Sequence, residues 1–246
     1  MERWSGKVAI VTGASSGIGA VISRELVTHG LNVLGISNQE DRLKSLYQNL
    51  KNLKGKFHYL CCDVEKEQDI LYAFAYVNEK FGGVDILVNN AGIIRESTFQ
   101  NVKTEDLRAV LNVNVLAPAI FIRESLKSMR LRKNEAHIIN INSLVGINAA
   151  TTMPINIYPA SKFALRGMAD TLKNELEWYK DNIRVTGIHP GLVNTEIYGD
   201  SVIFNKLKTK LPVVEPKDVV DCVIFALSAP PNVQLHEITV TGVPKK

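Results

Sequence analysis

The sequence predicts an α/β protein: one doubly wound, seven-stranded parallel sheet with helices on both faces. Three observations carry that expectation. Seven short runs rich in Val and Ile recur along the 246 residues, apolar at most positions, as strands covered on both faces require. Longer segments of helical period separate them, so each strand is followed by a crossover able to bring the chain back parallel to it. A glycine-rich turn joins the first run to the first helical segment, at the end of the sheet where such folds hold their ligands.

The strand runs are "KVAIVT" (7–12), "NVLGIS" (32–37), "FHYLCC" (57–62), "VDILVN" (84–89), "HIININ" (137–142), "IRVTGI" (183–188) and "HEITVT" (236–241). Between them, Ile18 to His29, Asp41 to Leu53 and Gln68 to Lys80 carry amphipathic helical spacing. Residues 104 to 130 form a longer helix with Leu107, Val110, Leu111, Val115 and Ile122 on one stripe. Pro118 must distort it, because proline has no amide to return to the Asn114 carbonyl and its ring clashes with the preceding turn. Asn114 is therefore either a site residue beside a helix defect or the incidental neighbour of a kink. The stretch 208–217, with Pro212 and Pro216, reads as a loop. With no Pro/Gly/Ser linker, repeat or low-complexity tract, residues 1–246 read as a single domain.

Composition narrows the partners. A hydrophobic content of 46% and a charged content of 22% suit a globular core that needs no disulfide or metal, and no metal site is expected. The net charge of +4 is scattered, and its densest cluster, "RLRK" (130–133), reads as a solvated helix end, so no nucleic acid is expected. Cys61, Cys62 and Cys222 lack metal or disulfide spacing and read as buried reduced thiols of a reducing compartment. The longest apolar run, "VLAPAIFI" (115–122), falls far short of the ~20 residues that cross a bilayer. The N-terminus lacks a leader pattern. A soluble cytoplasmic protein with no membrane partner is the expectation.

The turn itself is "TGASSGIG" (12–19). Gly13 permits a tight reversal, and Gly17 and Gly19 let backbone approach a pyrophosphate and let the helix pack close to the sheet. First-turn amides and the helix dipole then favour the negative charge. A helix entry that uses glycine only for packing is the alternative, and the strand–turn–helix setting favours a dinucleotide.

A Tyr-x-x-x-Lys pair occurs three times: Tyr47–Lys51, Tyr76–Lys80 and Tyr158–Lys162. The first two fall well inside helices, where a surface pair is expected. Tyr158 instead opens the helix after strand five, close to Ser143 at that strand's carboxyl end. A free phenol, with a pKa of ~10, exchanges protons poorly near neutrality. An ammonium at about 4 Å is worth roughly 4 kcal/mol at an effective dielectric near 20, enough to lower the phenol by as much as ~3. Lys162 is expected to acidify Tyr158 in this way, with Ser143 stabilising alkoxide character on a substrate oxygen.

The Gly-x-x-x-Gly-x-Gly spacing resembles that of the short-chain dehydrogenase/reductase family, whose members carry a Rossmann domain. So do "NNAG" (89–92), "NVNVLA" (112–117), "NINS" (140–143), "YPASK" (158–162) and "HPGLVNT" (189–195), in that family's order. The resemblance implies catalytic roles for Asn114, Ser143, Tyr158 and Lys162, with Asn114 holding a water that links Lys162 to solvent. It implies a nicotinamide dinucleotide held by Gly13, Ser15, Ser16, Gly17, Ile18 and Gly19. The same cofactor would meet Asp63 and Val64 at its adenine, with Asn90, Ala91, Gly92, Tyr158 and Lys162 among its other contacts. Pro190, Gly191, Val193 and Thr195 would hold its carboxamide end. His189, just before Pro190, reads as structural.

The tip of strand two reads Ser37–Asn38–Gln39, with no acid to accept ribose hydroxyls and repel a phosphate. NADP is favoured over NAD on that ground, with Arg42, Ser37 and Asn38 as partners of the 2′-phosphate. The segments 144–157 and 196–212, the latter as a substrate loop, are apolar and aromatic and suit a lipophilic alcohol or ketone. The opening residues look similar to the insect-type farnesol dehydrogenase and carbonyl/steroid reductase subgroup, which implies an isoprenoid or steroid-like substrate. The interval from Ser143 to Tyr158, fifteen residues, is two longer than in many members, so the pocket wall differs from theirs. The family also implies a homodimer or homotetramer built on helices 104–130 and 158–179. A catalytically silent dinucleotide-binding regulator of the same fold is the rival reading; the presence of all four catalytic side chains argues against it.

Overall fold

The computed structural model describes residues 1–149, 151 and 153–244. Its strands are β1 (Val8–Thr12), β2 (Asn32–Ser37), β3 (Lys56–Cys61), β4 (Ile86–Asn89), β5 (Ala136–Ile141), β6 (Ile183–Pro190) and β7 (Glu237–Val240). Its helices are α1 (Gly17–Thr28), α2 (Glu40–Leu50), α3 (Glu67–Phe81), α4 (Thr104–Leu111), α5 (Ala117–Arg132), α6 (Tyr158–Tyr179), α7 (Val202–Lys208) and α8 (Pro216–Ser228). Among the described residues the strands form one parallel sheet in the order β3-β2-β1-β4-β5-β6-β7. The chain winds outward from β1 in both directions, so the carboxyl ends of β1 and β4 flank the crevice where the winding reverses.

Alternation along each strand divides the core in two. Ala9, Val11, Val33, Ile86 and Val88 face α1, α2 and α8, where they meet Ile22, Leu26, Leu43 and Val223. Val8, Ile10, Leu34, Leu87 and Ile138 face α3, α5 and α6, where they meet Ile70, Phe74, Phe121 and Leu172. Helices therefore cover both faces, as the strand composition requires. Cys62 is buried and its thiol is pushed up to about 12, chiefly by that burial. Cys61 corrects the expectation of buried thiols: it ends the edge strand β3 and is exposed.

Pro118 acts as its chemistry demands. Between α4 and α5, residues Asn112–Leu116 widen into a π-turn, and the Ala117 amide reaches back five residues to the Asn112 carbonyl. The whole helical stretch Thr104–Arg132 is long and apolar enough to cross a membrane by length and composition, with 56% of its most apolar window buried inside the protein. The apolar run read from sequence underestimated it, because interspersed small and neutral residues extend the hydropathy.

Candidate active site

Beyond the carboxyl ends of β1, β4 and β5 lies a cavity of about 430 Å³. Its first wall is the glycine turn. Gly13 and Gly17 both sit at positive φ (65° and 52°), the left-handed region that glycine enters freely. Gly19 lies beneath, where a Cβ would stand 2.3 Å from the Gly13 carbonyl oxygen and 2.4 Å from Asn90 Nδ2. Asn90 braces the turn from the next strand, donating to the carbonyls of Thr12 (2.8 Å) and Gly13 (3.2 Å). The Asn90 and Ala91 amides both donate to Thr12 Oγ1 at 2.9 Å. Ser16 begins α1 with no side-chain cap, and Ser15, Ser16, Gly17 and Ile18 line the cavity. A helix of 12 residues thus aims uncapped amides into a polar crevice, and these residues fit a dinucleotide pyrophosphate.

Around this turn the cavity is lined by Ser37, Asn38, Asp63, Val64, Ala91, Gly92, Pro190, Gly191, Val193 and Thr195. Ser37 Oγ donates to Ser15 Oγ (2.9 Å), joining the tip of β2 to the turn. Arg42 does not line the cavity: its exposed guanidinium pairs with Glu196 from across the crevice. Gly19 and Asn114 also lie behind the lining rather than in it.

The reactive groups gather opposite. Tyr158 opens α6 and is 6% exposed; Lys162, one turn on, is 4% exposed. Just before them Asn156, at φ 37°, bonds the Arg95 and Ser97 carbonyls and fixes the approach of the chain. Ser143 follows β5, and its side chain hydrogen-bonds the Tyr158 phenol. Lys162 Nζ lies 5.8 Å from the Tyr158 ring centroid and donates to the Ile141 carbonyl at 3.1 Å. Gly92 and Gly146 give this lysine room, since a Cβ on either would come within 3.8 Å of its side chain. Asn114, 1% exposed at the π-turn, accepts from the Ile93 amide (2.9 Å) and donates to the Ile93 carbonyl (3.0 Å) and to Ser161 Oγ (3.1 Å).

All three tyrosine–lysine pairs stack, with Nζ 5.5 Å from the Tyr47 ring and 5.1 Å from the Tyr76 ring, so spacing alone distinguishes nothing. Setting does. Tyr47 is 37% exposed on α2, whereas Tyr158 is sealed against the cavity.

One expectation is corrected. Burial holds the Tyr158 phenol above its ordinary value, the neighbouring Tyr198 adds to this, and the Ser143 hydrogen bond only partly opposes it. Lys162 does not acidify it here, because the ammonium faces the Ile141 carbonyl and both groups are desolvated. Lys162 is itself lowered from 10.5 to about 8 by burial. In that interval the folded chain binds fewer protons than the unfolded one, so stability rises with pH and the cost of the buried charge is fully present below 8. Denaturant unfolding should show a gain of roughly 2 kcal/mol between pH 8 and about 9.5, which Lys162→Met removes.

Some lining residues were not singled out from sequence. Ile93, Ile94 and Arg95 continue the wall past Gly92, and Tyr198 closes it. Tyr198 is stacked on Phe204 at 3.7 Å, and its hydroxyl is pushed up to about 12 by burial. Tyr198 and Phe204 belong to the segment 196–212 that the sequence marks as an aromatic wall of the pocket.

Residues 7–203 match the family described as short chain dehydrogenase. The chain is 42% identical over 248 residues to a farnesol dehydrogenase of Aedes aegypti, covering 100% of both. It is 37% identical to dehydrogenase/reductase SDR family member 11 of Gallus gallus, over 97% of this chain and 96% of that one. A solved short chain dehydrogenase from Burkholderia cenocepacia, in complex with NADP, superposes with a TM-score of 0.88 at 27% identity, covering 98% of each. A short-chain type dehydrogenase/reductase from Mycobacterium marinum, at 24% identity, shares the fold with a TM-score of 0.90, over 97% of this chain and 95% of that one. The match over residues 7–203 and the full-length relatives show that this oxidoreductase chain belongs to the short-chain dehydrogenase family.

Proposed function

We propose that this protein transfers a hydride between NADP(H) and a lipophilic alcohol or ketone, with Tyr158 as general acid and base. The observation that carries the reading is the meeting of Tyr158, Ser143 and Lys162 on the wall facing the uncapped start of α1. A bound nicotinamide supplies or accepts the hydride. Tyr158 holds its proton at neutral pH, because burial disfavours the phenolate, and gives it to the substrate oxygen as a carbonyl is reduced. Ser143 offers a second hydrogen bond to that oxygen. Lys162 keeps a positive charge near the ring and stabilises the phenolate that proton transfer leaves. Asn114 anchors Ile93 and Ser161 behind them, beside the lysine.

Ile93, Ile94, Val113, Ile197 and Tyr198 give the cavity apolar and aromatic lining, and the farnesol dehydrogenase relative supports an isoprenoid alcohol there; a steroid-like carbonyl suits the same lining. The NADP-bound relative and the acid-free tip of β2 support NADP over NAD, with Ser37 and Asn38 in place and Arg42 leaving Glu196 to meet the 2′-phosphate. A cytoplasmic homodimer or homotetramer completes the proposal. The groove between α5 and α6, lined by Ala119, Ile122, Leu126 and Leu172, offers a face for a second copy.

Steady-state oxidation of farnesol and reduction of a panel of lipophilic ketones, each with both cofactors, tests it. NADP should be preferred in kcat/KM by at least about tenfold, and Arg42→Ala should erase about tenfold of that while leaving NAD rates within about twofold. Tight NADPH binding without turnover of any substrate would instead support the silent regulator.

A further inference from the structure

His189 is the one element of the site's frame whose chemistry exceeds the support expected of it. It stands on β6 immediately before the Pro190–Gly191 turn and is 0% exposed. Its Nδ1 lies 3.2 Å from the backbone carbonyl oxygen of Ser143, and its Nε2 meets a carboxylate oxygen of Glu237 on β7. Both partners are acceptors. A carbonyl has no proton to give, and Glu237 is ionised at neutrality: burial pushes its carboxyl up, but the His189 bond and charge, with Lys173, outweigh that and hold it below the usual range. Nδ1 therefore donates to the Ser143 carbonyl, and the ring bridges that carbonyl and Glu237.

The surroundings are shaped to hold this bridge. Glu237 is register partner to Gly187, and the absent side chain there makes the room: a Cβ would stand 2.5 Å from Glu237 Oε2 and 2.9 Å from His189 Nε2. Lys173, on the same helix as Tyr158 and Lys162, bonds the other Glu237 oxygen at 3.2 Å and is itself tied to Asp170 at 3.2 Å. The run Asp170–Lys173–Glu237 alternates in sign and leads from the surface of α6 to His189 beside the end of β5. At its inner end the Ser143 carbonyl also accepts the Gly146 amide at 3.0 Å, so both lone pairs of that oxygen are used and the plane of the Ser143 peptide is set.

We propose that His189, bridging Glu237 and the Ser143 carbonyl, is a positioning residue that aims the Ser143 hydroxyl at the substrate oxygen and so governs turnover. This rests on the role proposed above for Ser143. Misplacing a reacting group by about 1 Å costs on the order of a hundredfold in rate without touching binding.

The test uses the farnesol assay, with rates expressed per folded site, alongside fluorescence titration of NADPH. His189→Ala should lower kcat between about tenfold and a hundredfold while the NADPH Kd stays within about threefold. Glu237→Ala should lower kcat about tenfold, and Glu237→Gln, which still bonds the ring, should recover it to within about threefold. A purely structural residue would lower the melting temperature and leave kcat per folded site unchanged, and that result overturns the proposal; so does Glu237→Gln behaving like Glu237→Ala. Should His189→Ala fail to fold, the two Glu237 variants decide. Nitrogen-15 spectra of the cofactor-free wild-type chain supply a readout independent of turnover. His189 should show an Nδ1–H proton slow to exchange at neutral pH, and a ring without one overturns the proposal whatever substrate the enzyme takes. A wild-type chain with that bonded ring but no turnover counts against the enzymatic reading instead.

Discussion

Tyr158→Phe should lower turnover by about a thousandfold or more while leaving NADPH affinity within a few fold. General acid–base catalysis by a placed side chain is worth roughly a hundredfold to ten-thousandfold, and the upper part of that range applies where burial excludes water as a substitute donor. Tyr158 is in that position: at 6% exposure it shares its hydrogen bond with Ser143 and faces the cavity. The substitution removes one oxygen and keeps the ring against Lys162, so the opening of α6 and the fold should be preserved. Parallel melting curves and NADPH titrations separate the chemistry from folding. A rate within about tenfold of wild type would remove Tyr158 from the mechanism.

Gly19→Ala should be the most damaging single methyl in the crevice. The added carbon would stand 2.3 Å from the Gly13 carbonyl oxygen, 2.9 Å from its carbon and 2.4 Å from Asn90 Nδ2. Two of those atoms are backbone, and the third is the side chain that bonds the same turn, so no flexible group can move aside. Either α1 shifts away from the sheet or the Asn90 brace breaks. Overpacking of this kind costs about 1–3 kcal/mol, with this site at the upper end because the neighbours are rigid. Dinucleotide affinity should fall further, by about a hundredfold, since the first-turn amides lose their aim. Chemical denaturation and NADPH titration measure the two losses. By contrast, Gly167→Ala, with nothing within 4 Å of the added carbon, should leave NADPH affinity unchanged and serves as the control.

The inner strands were legible because each is buried, and therefore apolar, on both faces. β2, for example, matches the run read from sequence residue for residue, and the others differ only at their ends. Gly13, Gly17, Ser143, Tyr158 and Lys162 were legible because a strand-end position restricts which chemistry can meet there. Proton affinities were not. The four-residue spacing placed Lys162 against the Tyr158 ring, but only packing shows that its ammonium turns to the Ile141 carbonyl and that burial outweighs attraction. Arg42 shows the same limit: its reach was readable, while its pairing with Glu196, 154 residues away, was not. His189 lay in plain view beside Pro190, and its partner Glu237 becomes visible only once β6 and β7 are in register.

The brace that Asn90 gives the glycine turn has a bearing on how the protein is made. The turn looks self-contained in "TGASSGIG", yet the groups that hold it come from 77 to 79 residues further along. A nascent chain that has emerged only through α3 carries every glycine of the turn and its ties to β2, but not the Asn90 brace. The crevice therefore takes shape late in synthesis, after β4 has slotted in beside β1, and until then no nucleotide finds a finished seat.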